Sequence, residues 1–201
     1  MKNITIINLV FFCLTSCIVH SQTTPNILST TAQQPYAKAL VDYSDFKNLV
    51  LEIEKQRENH LVSLDVFLKM SQEKNTVILD SRSDFRYNRK HLKGAIHLDF
   101  TDFTQENLNK LIPDPNTIIL IYCNNNFNGD QIDFTSKVVL PIKTSETPTI
   151  KNSKPVMLAL NIPTYINLYG YGYKNVYELD ELVNVNDPRI KFEGTEIKVN
   201  P

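Results

Sequence analysis

One thiol stands where this sequence could do chemistry. Cys123 follows the apolar run "IILIY" (residues 118–122) and precedes "NNNFNG" (residues 124–129). The run reads as a strand buried on both faces, and the asparagines and glycine as a turn-prone loop without helical period. A cysteine in mid-strand is usually a small buried hydrophobe. At the strand's carboxyl end, where the chain opens into a polar loop, it is read instead as a reactive thiol. A second chemically able residue, Asp80, ends another apolar run, "TVILD".

The elements around these residues must bring both to one edge. "YAKALVDYSDFKNLVLEIEKQRENH" (residues 36–60) reads mostly as helix, with Phe46, Leu49, Val50 and Ile53 at helical spacing. A short strand at Leu61 and Val62 follows, then a helix with Ser63 as its cap and Leu64, Phe67 and Leu68 inward. "SDFRYNRKH" suits a short helix, "GAIHLDF" a third strand, "TDFTQENLNKLIP" a capped helix and "NTIILIYC" a fourth strand. "PTYINLYGYGY" reads as a helix closed by Gly170 or Gly172, and "KNVYEL" as a fifth strand. Strands alternating with helices imply an α/β fold: about five parallel strands, with helices on both faces. In such sheets ligands bind beyond the carboxyl ends of the strands, where Cys123 and Asp80 both fall.

The 201 residues are 42% hydrophobic and 21% charged, with a formal charge of −1. That suits one globular domain with extensions, and no basic excess points to nucleic acid. There is no internal repeat, Gly-rich phosphate loop or Cys/His metal spacing, so neither metal nor cofactor is expected.

The first 21 residues read as an export signal: a lysine near the start, then an apolar stretch from Ile4 to Cys13, too short to span a bilayer. "LTSC" (residues 14–17) resembles the bacterial lipobox, which would leave Cys17 lipidated. "VHS" before Gln22 offers an ordinary cleavage site instead. The first exit is favoured, with residues 22–35 as linker. Either route exports the protein to the periplasm or to a lipid-anchored position, the membrane being touched only through that anchor. Cys123 is then the single free thiol of the mature chain, a thing to notice in an oxidising compartment.

"VILDSRSDFRYNRKHLKGAIHL" resembles the rhodanese-like signature, with Asp80, Arg82, Tyr87, His91, Gly94 and Ala95 in register. "IILIYC" resembles the strand that delivers that family's catalytic cysteine, and "YGYKNVYEL" its last helix-to-strand passage. The likeness covers residues 61–182, leaving 183–201 as a tail. Three departures stand out. Arg86 and Lys90 replace an acidic residue and a glycine of the signature, and Asn126 and Asn128 replace the loop's glycine and arginine. An insertion of roughly 20 residues, about 130–155, follows the loop. Within it "KVVLPI" and "TPTIKNS" read as a hairpin flap or as a disordered loop.

The resemblance implies nucleophilic catalysis by sulfur. The Cys123 thiolate would take the outer sulfur of a small sulfane donor as a persulfide, and a thiol acceptor would remove it. Such chemistry needs a depressed thiol pKa and a loop whose backbone N–H groups converge on the sulfur. Asn124, Asn125, Asn126, Phe127, Asn128 and Gly129 would form that substrate-binding loop, the asparagines serving backbone shape and neutral donors. Phe127 would line the pocket mouth or plug the core. Asp80 and Arg82 are supporting residues, read first as an ion pair from strand to helix; His91 is read first as structural. No Arg or Lys falls between Cys123 and Lys137, so charge for an anionic donor would have to come from Arg82, Lys137 or Lys143. Two readings stay open: an exported sulfurtransferase or persulfide carrier using Cys123, and a catalytically weak module that binds a protein partner or small ligand through the same pocket.

Overall fold

The computed structural model describes residues 36–139 and 155–197. The signal-like segment, Cys17, the linker and residues 140–154 of the insertion, with Lys143, lie outside them. The chain divides into residues 1–41 and residues 42–201, and the second unit is the folded domain.

In chain order the domain runs α1 (Tyr43–Asn59), β1 (Leu61–Val62), α2 (Leu64–Met70), β2 (Thr76–Asp80) and α3 (Asp84–Arg89). Next come β3 (His91–Leu92), β4 (Ile96–His97), α4 (Gln105–Leu111), β5 (Ile118–Tyr122) and β6 (Phe127–Asn128). It finishes with β7 (Val138–Val139), β8 (Val156–Met157), α5 (Asn161–Gly170), β9 (Val176–Leu179), β10 (Val183–Asn184) and β11 (Phe192–Glu193).

The five expected strands form one parallel sheet in the order β1-β9-β5-β2-β4, with β5 at its centre. Alternation along β5 decides the layers. Ile119 and Ile121 face a core shared with Ile53 of α1, Leu108 of α4 and Ile166 of α5. Leu120 and Tyr122 face the opposite core, with Leu64 and Phe67 of α2, Phe127 and Phe134. Because both faces are buried, slipping the register by one residue would exchange the two sets, which fixes the strand ends. Asp80 pairs directly with Tyr122, so the carboxylate ends β2 level with the residue before Cys123.

Several local expectations change. α1 starts at Tyr43, not at residue 36, because the Asp42 carboxylate accepts the Asp45 N–H at 2.9 Å and sets the first turn. Phe46 is 48% exposed, so the inward stripe begins at Leu49. Ser63 occupies the cap position of α2 without a side-chain bond; Glu181 of the last strand's loop accepts the Leu64 N–H instead, at 2.8 Å. α5 closes at Gly172, whose φ of +101° suits a glycine. β7 does form within "KVVLPI", but its partner is β8, Val156–Met157, while "TPTIKNS" lies outside the described residues. Finally, residues beyond 182 are not a bare tail. β10 pairs with β6, β11 pairs antiparallel with β3, and Val183 and Ile190 are buried in the second core.

Candidate functional site

β5 delivers Cys123 to the carboxyl edge of the sheet, and a short 3₁₀ turn, Asn124–Asn126, follows at once. Leu160, the residue before α5, donates its backbone N–H to the sulfur at 3.3 Å, and the Asn124 N–H in the turn lies beside it and favours the thiolate. Of the backbone cradle that the resemblance implies, the structure shows this one hydrogen bond, and it comes from a helix start 37 residues downstream.

The thiol is buried rather than exposed, with 1% of its surface accessible. Burial pushes its pKa up; the N–H groups of Leu160 and Asn124 and the Arg82 charge pull it back, and burial prevails. The depressed thiol expected from the sequence is thus not what this fold provides. Leu160, which follows the insertion, brings its backbone against the sulfur.

Asn126 is the strut of the loop. Its Oδ1 accepts the Cys123 N–H at 2.9 Å and the Asn161 Nδ2–H at 2.8 Å, while its Nδ2 donates to the Leu179 carbonyl at 2.6 Å. One amide thus joins loop, α5 and β9. The side chain of Asn126 adds a structural role to the backbone shape and neutral donors expected of the asparagines. Asn125 Oδ1 accepts the Lys137 N–H at 2.7 Å, holding the exit of the loop. Asn124 Oδ1, Asn125 Nδ2 and Asn128 Oδ1 are buried without a partner among the described residues. Asn128, where the resemblance expects arginine, lies in β6, and Gly129 turns the chain with φ of +86°. Phe127 plugs the core, packed against Phe134 and Phe192.

Asp80 and Arg82 form the expected ion pair, Nη2 to Oδ2 at 2.6 Å, with both side chains buried. Tyr122 donates to the same Oδ2 at 2.5 Å, and Arg82 also reaches the carbonyls of Asp133 (3.1 Å) and Lys90 (2.7 Å). Burial works against the guanidinium charge, yet Asp80 raises its pKa above the usual value. The same burial, with the Asp80 charge beside it, lifts the Tyr122 phenol well above its own. With carboxylate and carbonyls around it, Arg82 is a structural cation. His91 is structural too, stacked on Tyr87 and bonded to its carbonyl through Nδ1 at 2.7 Å.

The signature's departures acquire a role that the sequence reading missed. Arg86 donates to the Ile132 carbonyl, Arg89 pairs with Asp133 at 2.6 Å, and Lys90 pairs with Asp130 at 3.0 Å. The basic end of α3 thus anchors the first turn of the insertion, 130–133. A signal existed in the opposed charges of "RYNRK" and "DQID", though nothing in one dimension says that they meet.

Beside the cradle a cleft of about 350 Å³ opens, lined among others by Asn125, Asn126, Asn161, Met157, Asp180 and Glu181. Arg57 also lines it, but its guanidinium is held by both carboxylate oxygens of Glu178 at 2.7 and 2.8 Å. Lys137 is exposed and does not line it. Among the described residues no group of His, Cys, Asp and Glu is arranged to hold a metal, and no helix is long and apolar enough to cross a membrane.

A doubly covered parallel sheet with a buried cysteine at the end of its central strand defines the class: an α/β domain with its one described thiol at the carboxyl edge of the sheet. Residues 63–181 match the Rhodanese-like domain family, and the chain belongs to that family. No curated protein matches the sequence. Among solved structures it is similar to the BH2092 protein from Bacillus halodurans, at 15% identity and a TM-score of 0.30, over 42% of this chain and 61% of that one.

Proposed function

We propose that this protein is a sulfurtransferase or persulfide carrier that uses Cys123 as its nucleophile. The observation that supports the reading is the Leu160 backbone N–H donating to Sγ at the carboxyl end of β5, with the Asn124 N–H beside it. The thiolate attacks the terminal sulfur of a sulfane donor. A new S–S bond forms, the donor's bond to that sulfur breaks, and its electron pair leaves with the departing group. The persulfide anion on Cys123 meets the same N–H groups, which need no side-chain cation to hold negative charge. An acceptor thiolate then attacks the outer sulfur and releases the Cys123 thiolate.

Burial sets the pace. The thiol is largely protonated near neutral pH and has almost no accessible surface, so turnover is slow. Incubation with a sulfane donor, followed by intact mass, tests the proposal. A Cys123-dependent gain of one sulfur atom that cyanide removes supports it, and no adduct with any donor up to about pH 9 refutes it.

The same burial favours a second reading, a catalytically weak module that binds a partner or small ligand at the cleft. It predicts an inert thiol alongside saturable binding there. Export is proposed as well, on the N-terminal sequence alone, with lipid at Cys17 in preference to cleavage before Gln22. Fatty-acid analogue labelling that Cys17→Ala abolishes would support the anchor, and a soluble, unlabelled protein starting at Gln22 would refute it.

A further inference from the structure

The cleft shares Asn126 and Asn161 with the hydrogen bonds that hold Cys123, which offers a sulfane donor an approach to the thiol. The walls of that cleft carry little for a dianion. Among the described residues Arg57 is its one arginine or lysine, and Glu178 neutralises it in a bidentate pair with Arg57 only 22% exposed. Asp180 is exposed, with no ion pair among the described residues. Glu181 adds a second acid, shared loosely with Arg189 at 3.5 Å. The described residues of the mouth thus carry a net negative charge.

Around these acids stand apolar side chains left open to solvent: Met157 at 59%, Ile162 at 45% and Leu182 at 63%. Asn125 brings no charge to the same cleft. Apolar walls and a negative mouth fit an organic body that carries no net negative charge.

Resting on the sulfurtransferase reading, we propose that the cleft selects organic sulfane donors of low or zero net charge, such as zwitterionic thiosulfonates, and discriminates against thiosulfate. For a thiosulfonate the step is Cys–S⁻ plus R–SO₂–S⁻ giving Cys–S–S⁻ plus R–SO₂⁻. One S–S bond forms, one breaks, and the electron pair leaves on the sulfinate, without an outside oxidant.

Three donors with the same terminal sulfur separate charge from chemistry: thiosulfate (−2), methanethiosulfonate (−1) and 2-aminoethanethiosulfonate (zwitterion, net zero). Persulfide formation on the full-length protein is timed by intact mass, and each rate is divided by that donor's rate with an uncharged model thiol. The normalised rates should rise about threefold per charge removed at low salt, so roughly tenfold across the series. The spread should shrink when screening shortens the Debye length to a few ångströms at about 1 M salt. Asp180→Lys, checked for an unchanged urea midpoint, should flatten or reverse the order.

Persulfide formation with equal normalised rates, or with thiosulfate fastest, would overturn this inference and leave the sulfurtransferase reading intact. A spread that salt leaves unchanged would overturn it too, whatever the fate of the variant. No persulfide from any donor is the distinct outcome that removes the sulfurtransferase reading itself.

Discussion

Asn126→Ala is the substitution that best separates a side-chain strut from a loop held by its backbone. The change removes the acceptor of the buried Cys123 N–H and the donor to the Leu179 carbonyl, and with them the link to Asn161. The backbone of Cys123 is then left with an unmatched N–H. Leaving a buried polar group unsatisfied costs about 1–3 kcal/mol, and water entering the gap recovers part of it, so two such groups give roughly 2–4 kcal/mol. With a urea slope of about 2 kcal/mol/M for a domain of this size, the midpoint should fall by roughly 1–2 M. Asn124→Ala is the matched control: its Oδ1 has no partner to lose, so the midpoint should move by less than about 0.5 M. Loosening the loop should also speed alkylation of Cys123 under native conditions, because Leu160, whose N–H meets Sγ, precedes the Asn161 tied to the same amide. Coincident unfolding curves for the two variants would refute the strut. Alkylation no faster in Asn126→Ala would show that access to Sγ is independent of it.

Removing one partner of the buried Asp80–Arg82 pair strands the other, so Arg82→Met should cost about 3–5 kcal/mol by urea unfolding. A double-mutant cycle with Asp80→Asn should show strong coupling; additivity would contradict the ion-pair reading. Because burial raises the Cys123 pKa in the folded state, the unfolded chain loses this proton first as pH rises. Stability should therefore decline as pH climbs past the free-thiol value of about 8.5 and on through the folded pKa, a decline that Cys123→Ala should reduce. Alkylation followed against pH should likewise rise most steeply above that value, whereas a plateau below pH 7 would contradict the buried thiol. Gly194→Ala should be severely destabilising: a Cβ there meets the Arg89 carbonyl oxygen at 2.3 Å with φ at +130°. Circular dichroism melting checks it, and an unchanged melting temperature would mean that the β3–β11 pairing is dispensable.

The parallel sheet was legible in the sequence because its strands are short, apolar on both faces and bounded by turn residues. β2 and β5 needed only their own patterns, and those patterns put Asp80 and Cys123 at one edge. The spacing of Asp80 and Arg82, and the lack of a nearby cation after Cys123, were equally local facts. What surrounds the thiol was not local. The Leu160 N–H, the Glu181 cap on α2 and the docking of residues 130–133 on α3 all join segments dozens of residues apart. Nor could composition tell that Asn126 would turn its side chain inward, since asparagine is equally at home in a solvated turn. The sequence by itself determined where the cysteine would stand. Only the tertiary structure decided how dry and how charged its surroundings are, because desolvation and field depend on what the chain folds back to cover.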